Sequence, residues 1–289
     1  MAFFKMSTNE ELGDSVTHFF KTGGVLRNKD ETLLPLKKLL PSNGPMGTRV
    51  EYDVWYDMAD KNRIHGYVYT DAMGKFLYLR VGDADRSYAA MEKAANSDPT
   101  AEGWYVLNDL ASSSSDKYKL RKTTKTYDKV VFLAGANILD KAVDWSKLDD
   151  LVTKGWKLKC HPLTSRDLNQ LLIKRFGQSA VIDKKISGYS LLEGASAVAC
   201  AENSEMGIVA VAKGRELVGV GCGNKQLTYS AIYSQLNLSV DKRTTLAKIL
   251  SCKSSGLIPV IAQDAEERVQ LFFNQYKELP HVKPKSNNT

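Results

Sequence analysis

The sequence predicts an α/β fold built on a parallel sheet covered on both faces, and three observations carry that expectation. Between residues 130 and 220, short apolar runs alternate with stretches of helical periodicity, the βαβα order from which parallel sheets are wound. Residues 130–134 and 197–201 are apolar or small at every position rather than at every second one. A strand has that composition when helices bury both of its faces. Gly177 stands where one helical pattern stops, and Gly219, Gly221 and Gly223 punctuate the end of another strand, as turn positions require.

Along the chain, residues 49–55, 65–70 and 75–81 mix Val, Tyr, Phe and Leu with polar residues and read as neighbouring strands. A Ser-rich run followed by Lys117, Lys119, Arg121, Lys122 and Lys125 then marks a connection. It divides the chain into residues 1–126, residues 127–278 and a polar tail, 279–289. In the second part, strand 130–134 leads to a helix over 144–154 with Trp145, Leu148, Leu151 and Val152 at helical spacing. Strand 156–160, helix 167–176 and strand 180–182 follow. Helix 189–192, strand 197–201, helix 207–212 and strand 216–220 continue the alternation, and Val269, Phe272, Phe273 and Tyr276 line a last helix over 264–277.

Composition bounds the function. The 289 residues are 43% hydrophobic and 25% charged, which suits a globular chain able to bury a sizeable core without staples. No apolar run reaches the roughly 20 residues that a spanning helix needs, and the start carries no leader pattern. The expected location is cytoplasmic. Cys160, Cys200, Cys222 and Cys252 show no paired spacing, so neither zinc nor a disulfide framework is expected. The net charge is +7; residues 1–128 balance at 18 basic against 18 acidic, so the excess falls in residues 129–289. Its sign suits phosphate, whether of nucleic acid or of a nucleotide.

Two places are equipped for an anion. Lys159, His161 and Pro162 stand where a strand ends, with Thr164 or Ser165 able to cap the helix that follows. Asn203, Ser204 and Gly207 follow strand 197–201, with Ser204 a good N-cap and Gly207 allowing close approach of a ligand or of neighbouring backbone. Free helix N–H groups at the carboxyl edge of a parallel sheet are ready receptors for phosphate oxygens. Gly219-Val-Gly221-Cys-Gly223 lacks the third glycine and the apolar helix of a dinucleotide fingerprint.

The ordered set Lys159, His161-Pro162-Leu163, Tyr189-Ser-Leu-Leu, Asn203-Ser204-x-x-Gly207, Ala210, Gly214, Leu217-Val-Gly-Val-Gly221 and Tyr229 resembles the donor domain of GT-B glycosyltransferases of the capsular-polysaccharide and Kdo-transferase type, over residues 130–233. The resemblance implies two Rossmann-like domains facing a cleft, the N-terminal one (1–126) small and atypical and binding the acceptor. Residues 127–278 would bind a UDP- or CMP-linked sugar through Lys159, His161, Pro162, Asn203, Ser204 and Gly207, with Asn137 added. One departure is Glu216-Leu217, where the family has an aliphatic residue with Pro. The resemblance also implies a catalytic carboxylate in a segment like residues 79–87, hence Asp83 or Asp85 as base. No metal is implied, and no cofactor beyond the nucleotide-sugar. Transfer would invert the anomeric centre.

The basic, compact character is similar to that of bacteriophage enzymes that glycosylate hydroxymethylated bases in DNA. Modified DNA is therefore the expected acceptor, contacted by Lys119, Arg121, Lys122 and Lys125. A capsular or surface glycan is the second choice, and a non-catalytic nucleic-acid-binding α/β protein is the competing class.

Overall fold

The computed structural model describes residues 50–52, 64–68, 76–112, 120–135, 138–162, 164–259 and 262–277. They contain two sheets. Five parallel strands, β4 (Lys129–Phe132), β5 (Lys157–Lys159), β6 (Val181–Ile182), β7 (Ala197–Cys200) and β8 (Glu216–Gly219), lie in the order β6-β5-β4-β7-β8. Counted from β4 this is 3-2-1-4-5, the order of a doubly wound, Rossmann-like sheet. Register pairs Val131 with Leu158 on one side and with Ala199 on the other.

The unbroken apolar runs have the predicted cause. Val130 and Phe132 of β4 and Val198 and Cys200 of β7 enter one buried cluster, while Val131, Ala197 and Ala199 enter another on the opposite face. The first face is covered by α6 (Gly188–Gly194), α7 (Glu205–Ala212), α8 (Ser230–Leu238) and α9 (Lys242–Ser251), and the second by α3 (Leu139–Ala142), α4 (Trp145–Thr153) and α5 (Arg166–Phe176). Asp144, Ser165, Ser204 and Asp241 each accept first-turn amide hydrogens from α4, α5, α7 and α9, so local side chains start these helices.

The second sheet is mixed. β1 (Val50–Tyr52) runs parallel to β2 (Ile64–Val68), β3 (Phe76–Val81) antiparallel to β2, and β9 (Leu257–Pro259) antiparallel to β3. The three N-terminal strands are neighbours as expected, but their fourth partner comes from the far end of the chain. Gly256 precedes β9 with a φ of 82°, and a Cβ there would collide with the Leu79 carbonyl, so the strand's entry needs glycine.

Helices α1 (Ala84–Ala95) and α2 (Ala101–Ala111), capped by Asp83 and Thr100, complete the first face. Gly103 of α2 approaches α9 so closely that a Cβ would strike the Ser251 hydroxyl. Met91, Val106, Leu107 and Leu110 share a cluster with Ile208, Leu246 and Leu250, so buried side chains from both sides of residue 126 form one core. Among the described residues no helix is long and apolar enough to cross a membrane.

Candidate functional site

The order of the parallel sheet reverses between β4 and β7, and in open α/β sheets the crevice outside the carboxyl ends of the strands at such a switch point is where ligands bind. Three residues fill its β7 side. Glu202 follows the strand; backbone amides of Glu202 itself and Gly223 hydrogen-bond its carboxylate, while its buried Oε2 has no closer partner. Burial raises its pKa above the ordinary carboxylate value. Asn203 is 8% exposed and its Oδ1 is likewise unpartnered. Ser204 caps α7 through Met206 N at 3.2 Å, and its carbonyl accepts the Tyr233 hydroxyl at 2.7 Å. Gln226, on the loop after β8, adds a third buried, unpartnered acceptor, its Oε1. Such oxygens are costly unless something donates to them.

Both glycine motifs of the sequence find their reasons here. A Cβ on Gly207 would collide with the Tyr233 hydroxyl, so Gly207 admits the side chain of a neighbouring helix rather than a ligand. A Cβ on Gly221 would collide with the Glu202 carboxylate. Gly221 thus leaves space for Glu202 instead of cradling a pyrophosphate.

At the end of β5 stand the other sequence-predicted residues. Lys159 is buried, and its ammonium donates to the carbonyls of Cys160 at 2.7 Å and Lys184 at 3.0 Å. The Lys184 ammonium in turn donates to Thr164 O at 2.7 Å, and Thr164 N donates to His161 O at 2.9 Å. Two ammonium groups therefore tie down the turn that carries His161 and Pro162, both half-buried. With strands about 4.8 Å apart, this turn lies about 10 Å from the start of α7, across the end of β4. Asn137, on the β4 loop, lies outside the described residues.

The segment around Asp83 borders the crevice from the β8 side. Arg80, on β3 and 1% exposed, donates to the carbonyls of Lys225, Leu227 and Thr228 and so anchors the loop after β8 to the second sheet. Tyr78 stacks on Tyr229 at 5.8 Å. Asp83 Oδ1 accepts the amide hydrogens of Asp85 and Arg86, whereas the exposed Asp85 carboxylate meets Lys225 Nζ at 2.9 Å. Lys225 also lies 5.2 Å from the Tyr88 ring. The Tyr88 phenol hydrogen-bonds Ser230 and lies within reach of the charges of both Glu202 and Lys225, while burial raises its pKa. The structure thus brings Asp85, Tyr88, Lys225 and Glu202 near one another, and Asn203 and Ser204 follow Glu202 in the chain.

No protein-family model matches this chain. Nor does any curated protein match it.

Among the basic residues, Arg121 forms an ion pair with Asp183 at 3.3 Å, Lys125 lies over the Tyr127 ring at 5.1 Å, and Lys122 is exposed. Lys119 lies outside the described residues. All four cysteines are free; burial pushes the Cys160 thiol up to about 11 and the Cys200 thiol up to about 12. Among the described residues no three His, Cys, Asp or Glu side chains group as a metal site. Sequence reasoning passed over Glu202, Gln226, Tyr88 and Lys225. The available signal for Glu202 was a carboxylate directly after an all-apolar strand, next to a strand ending in spaced glycines.

Proposed function

We propose that the protein is a glycosyltransferase that moves a sugar from a nucleotide-sugar to an acceptor hydroxyl, inverting the anomeric centre without a metal. One observation supports this most: the loops after β7 and β8 of a 3-2-1-4-5 sheet carry two buried amide oxygens that lack donors, on Asn203 and Gln226, beside the part-buried Glu202 carboxylate. A polyhydroxylated ligand supplies hydroxyl hydrogens at several points, which a planar hydrophobic ligand does not. The GT-B arrangement, with residues 1–126 on the acceptor side and 127–278 on the donor side, follows from the motif order rather than from the crevice.

In this mechanism the nucleotide lies across the ends of β5, β4 and β7. His161 and the first turn of α7 behind Ser204 face its phosphates, with Pro162 fixing the turn, Lys159 holding it and Asn137 adding a contact. Glu202 and Asn203 accept hydrogen bonds from the sugar. The acceptor oxygen attacks the anomeric carbon, its proton passes to a carboxylate, and the bond from that carbon to the phosphate oxygen breaks, releasing the nucleotide. We assign the base to Asp85 rather than Asp83, because Asp83 Oδ1 already takes two amide hydrogens of α1. Positive charge and helix N–H groups stabilise the leaving phosphate as a metal does elsewhere.

The acceptor we favour is a hydroxymethylated base in DNA, which must leave the stack to reach the crevice. Mass spectrometry of modified duplex DNA incubated with the protein and a panel of UDP- and CMP-sugars tests both halves. A mass increase of one sugar, abolished by His161→Ala, is expected. Absence of transfer to DNA and to glycan acceptors, together with no thermal shift by any donor, overturns the reading.

A further inference from the structure

At the opposite end of α7, on the amino-terminal edge of the sheet, an open hollow of about 470 Å3 is lined by Lys213, Arg215, Arg243 and Glu193. The carboxyl end of a helix attracts cations, and Arg243 Nε donates to Ala212 O at 3.2 Å while another guanidinium nitrogen donates to Asn108 Oδ1 at 2.7 Å. Arg215 donates to Glu193 O at 3.2 Å, and Lys213 pairs with the Glu193 carboxylate at 2.9 Å. Carbonyl and amide oxygens orient the two guanidinium groups without cancelling their charge, whereas the Glu193 carboxylate offsets Lys213. Three cations therefore face one carboxylate, and Arg215 Nε is buried without a partner.

A second set of cations leads to this hollow. Residues 121–126 run beside α6: Arg121 N donates to Lys185 O at 3.0 Å, Thr123 N to the Ser190 hydroxyl at 3.3 Å, and Thr126 sits against Gly194, where a Cβ would come within 2.8 Å of its methyl. This segment carries the exposed Lys122 and Lys125 along α6 and reaches Gly194, the neighbour of Glu193 in the hollow. The other acids nearby are Asp128, which takes the Ser196 hydroxyl, the exposed Glu216, and Asp241, whose carboxylate caps α9 through Thr244 N and feels the Arg243 charge. Strung along α6 instead of closing on a point, the cations match successive phosphates better than a single one.

We infer that Lys122, Lys125, Lys213, Arg215 and Arg243 form a phosphate-binding track, separate from the crevice, that holds the sugar–phosphate backbone of a nucleic acid. The choice of DNA rests on the acceptor proposed above, whereas the binding itself requires no sugar transfer. Fluorescence anisotropy with a labelled unmodified duplex over a salt series tests it. The K213Q/R215Q and K122Q/K125Q variants should each lower the slope of log K against log salt by about two, one for each phosphate that no longer meets a cation. Affinity should fall about tenfold, while thermal shifts by UDP- or CMP-sugars stay as in the parent protein. An unchanged slope in the folded K122Q/K125Q variant overturns the track. A mononucleotide that binds as tightly as the duplex, and is released by the K213Q/R215Q change, overturns the backbone as its ligand. DNA binding with these slopes but no transfer to any acceptor keeps the track and rejects the transferase.

Discussion

The two ends of α7 gather polar groups of opposite kind. At its amino end, Asn203 presents an oxygen that needs a hydrogen, beside the part-buried Glu202 carboxylate; at its carboxyl end, Arg215 and Arg243 donate to carbonyls and Lys213 to the Glu193 carboxylate, with charge left over. One helix of eight residues separates the two sets. The difference shows that positive charge and the helix start need not coincide. Lys159, the cation closest to the crevice in sequence reasoning, is spent on holding a turn, whereas the surplus charge collects behind the sheet. A hydroxyl-rich ligand suits the first end and a polyanion the second.

The sharpest way to break this comparison is Asp85→Asn. If Asp85 is the base beside the crevice, transfer should fall by about 10²–10⁴. Stability should move by less than about 0.5 kcal/mol, since its ion pair with Lys225 is exposed. Single-turnover rates and thermal melts together decide it, and a rate within a few-fold of the parent moves the base elsewhere. Next in size is Gly207→Ala. The added Cβ must displace the Tyr233 hydroxyl from Ser204 O, so a loss of about 3 kcal/mol in urea unfolding is expected. The amino end of α7 should loosen while duplex binding at its carboxyl end persists.

The smallest expected effect comes from Glu202→Gln, which keeps the shape but removes the charge. Donor affinity should drop about tenfold, the equivalent of one hydrogen bond from a ligand hydroxyl to a charged oxygen. The pH dependence has a definite sign. Below the ordinary value of 4.5 the carboxyl is protonated in the folded and unfolded chain alike. Because burial raises its folded pKa, the native state holds the proton longer, and its stability falls as pH rises through that window. The melting temperature of the parent should therefore decline relative to Glu202→Gln as pH increases above about 4.5. Parallel curves would mean that burial does not outweigh the backbone hydrogen bonds of Glu202 and Gly223 to this carboxylate.

Most of the parallel sheet was legible because its signals are local. All-apolar runs located β4 and β7, periodic Leu and Trp located α4 and α5, and Ser204 marked the start of α7. The unread elements, α1, α2, α3, α8, α9 and β9, lie where polar and small residues interrupt the pattern, where an element is short or where burial depends on partners far along the chain. Gly103 resembles a helix breaker until α9 is seen pressed against it. The candidate site divides in the same way: His161, Asn203 and Ser204 were readable from strand ends and caps, but Glu202 gains its character only from Gly221 of the neighbouring strand's loop.

What the sequence determines alone is therefore the α/β class, the positions of the parallel strands and the starts of the helices between them, such as α4, α5 and α7, since each depends on side chains within a few residues of one another. Only the tertiary structure decides which polar groups are left without partners. Arg80 and Lys159 look like free cations in the sequence and are consumed by carbonyls from distant loops. The placement of the surplus charge behind the sheet follows the same rule, because desolvation and pairing depend on which distant segments the fold brings into contact.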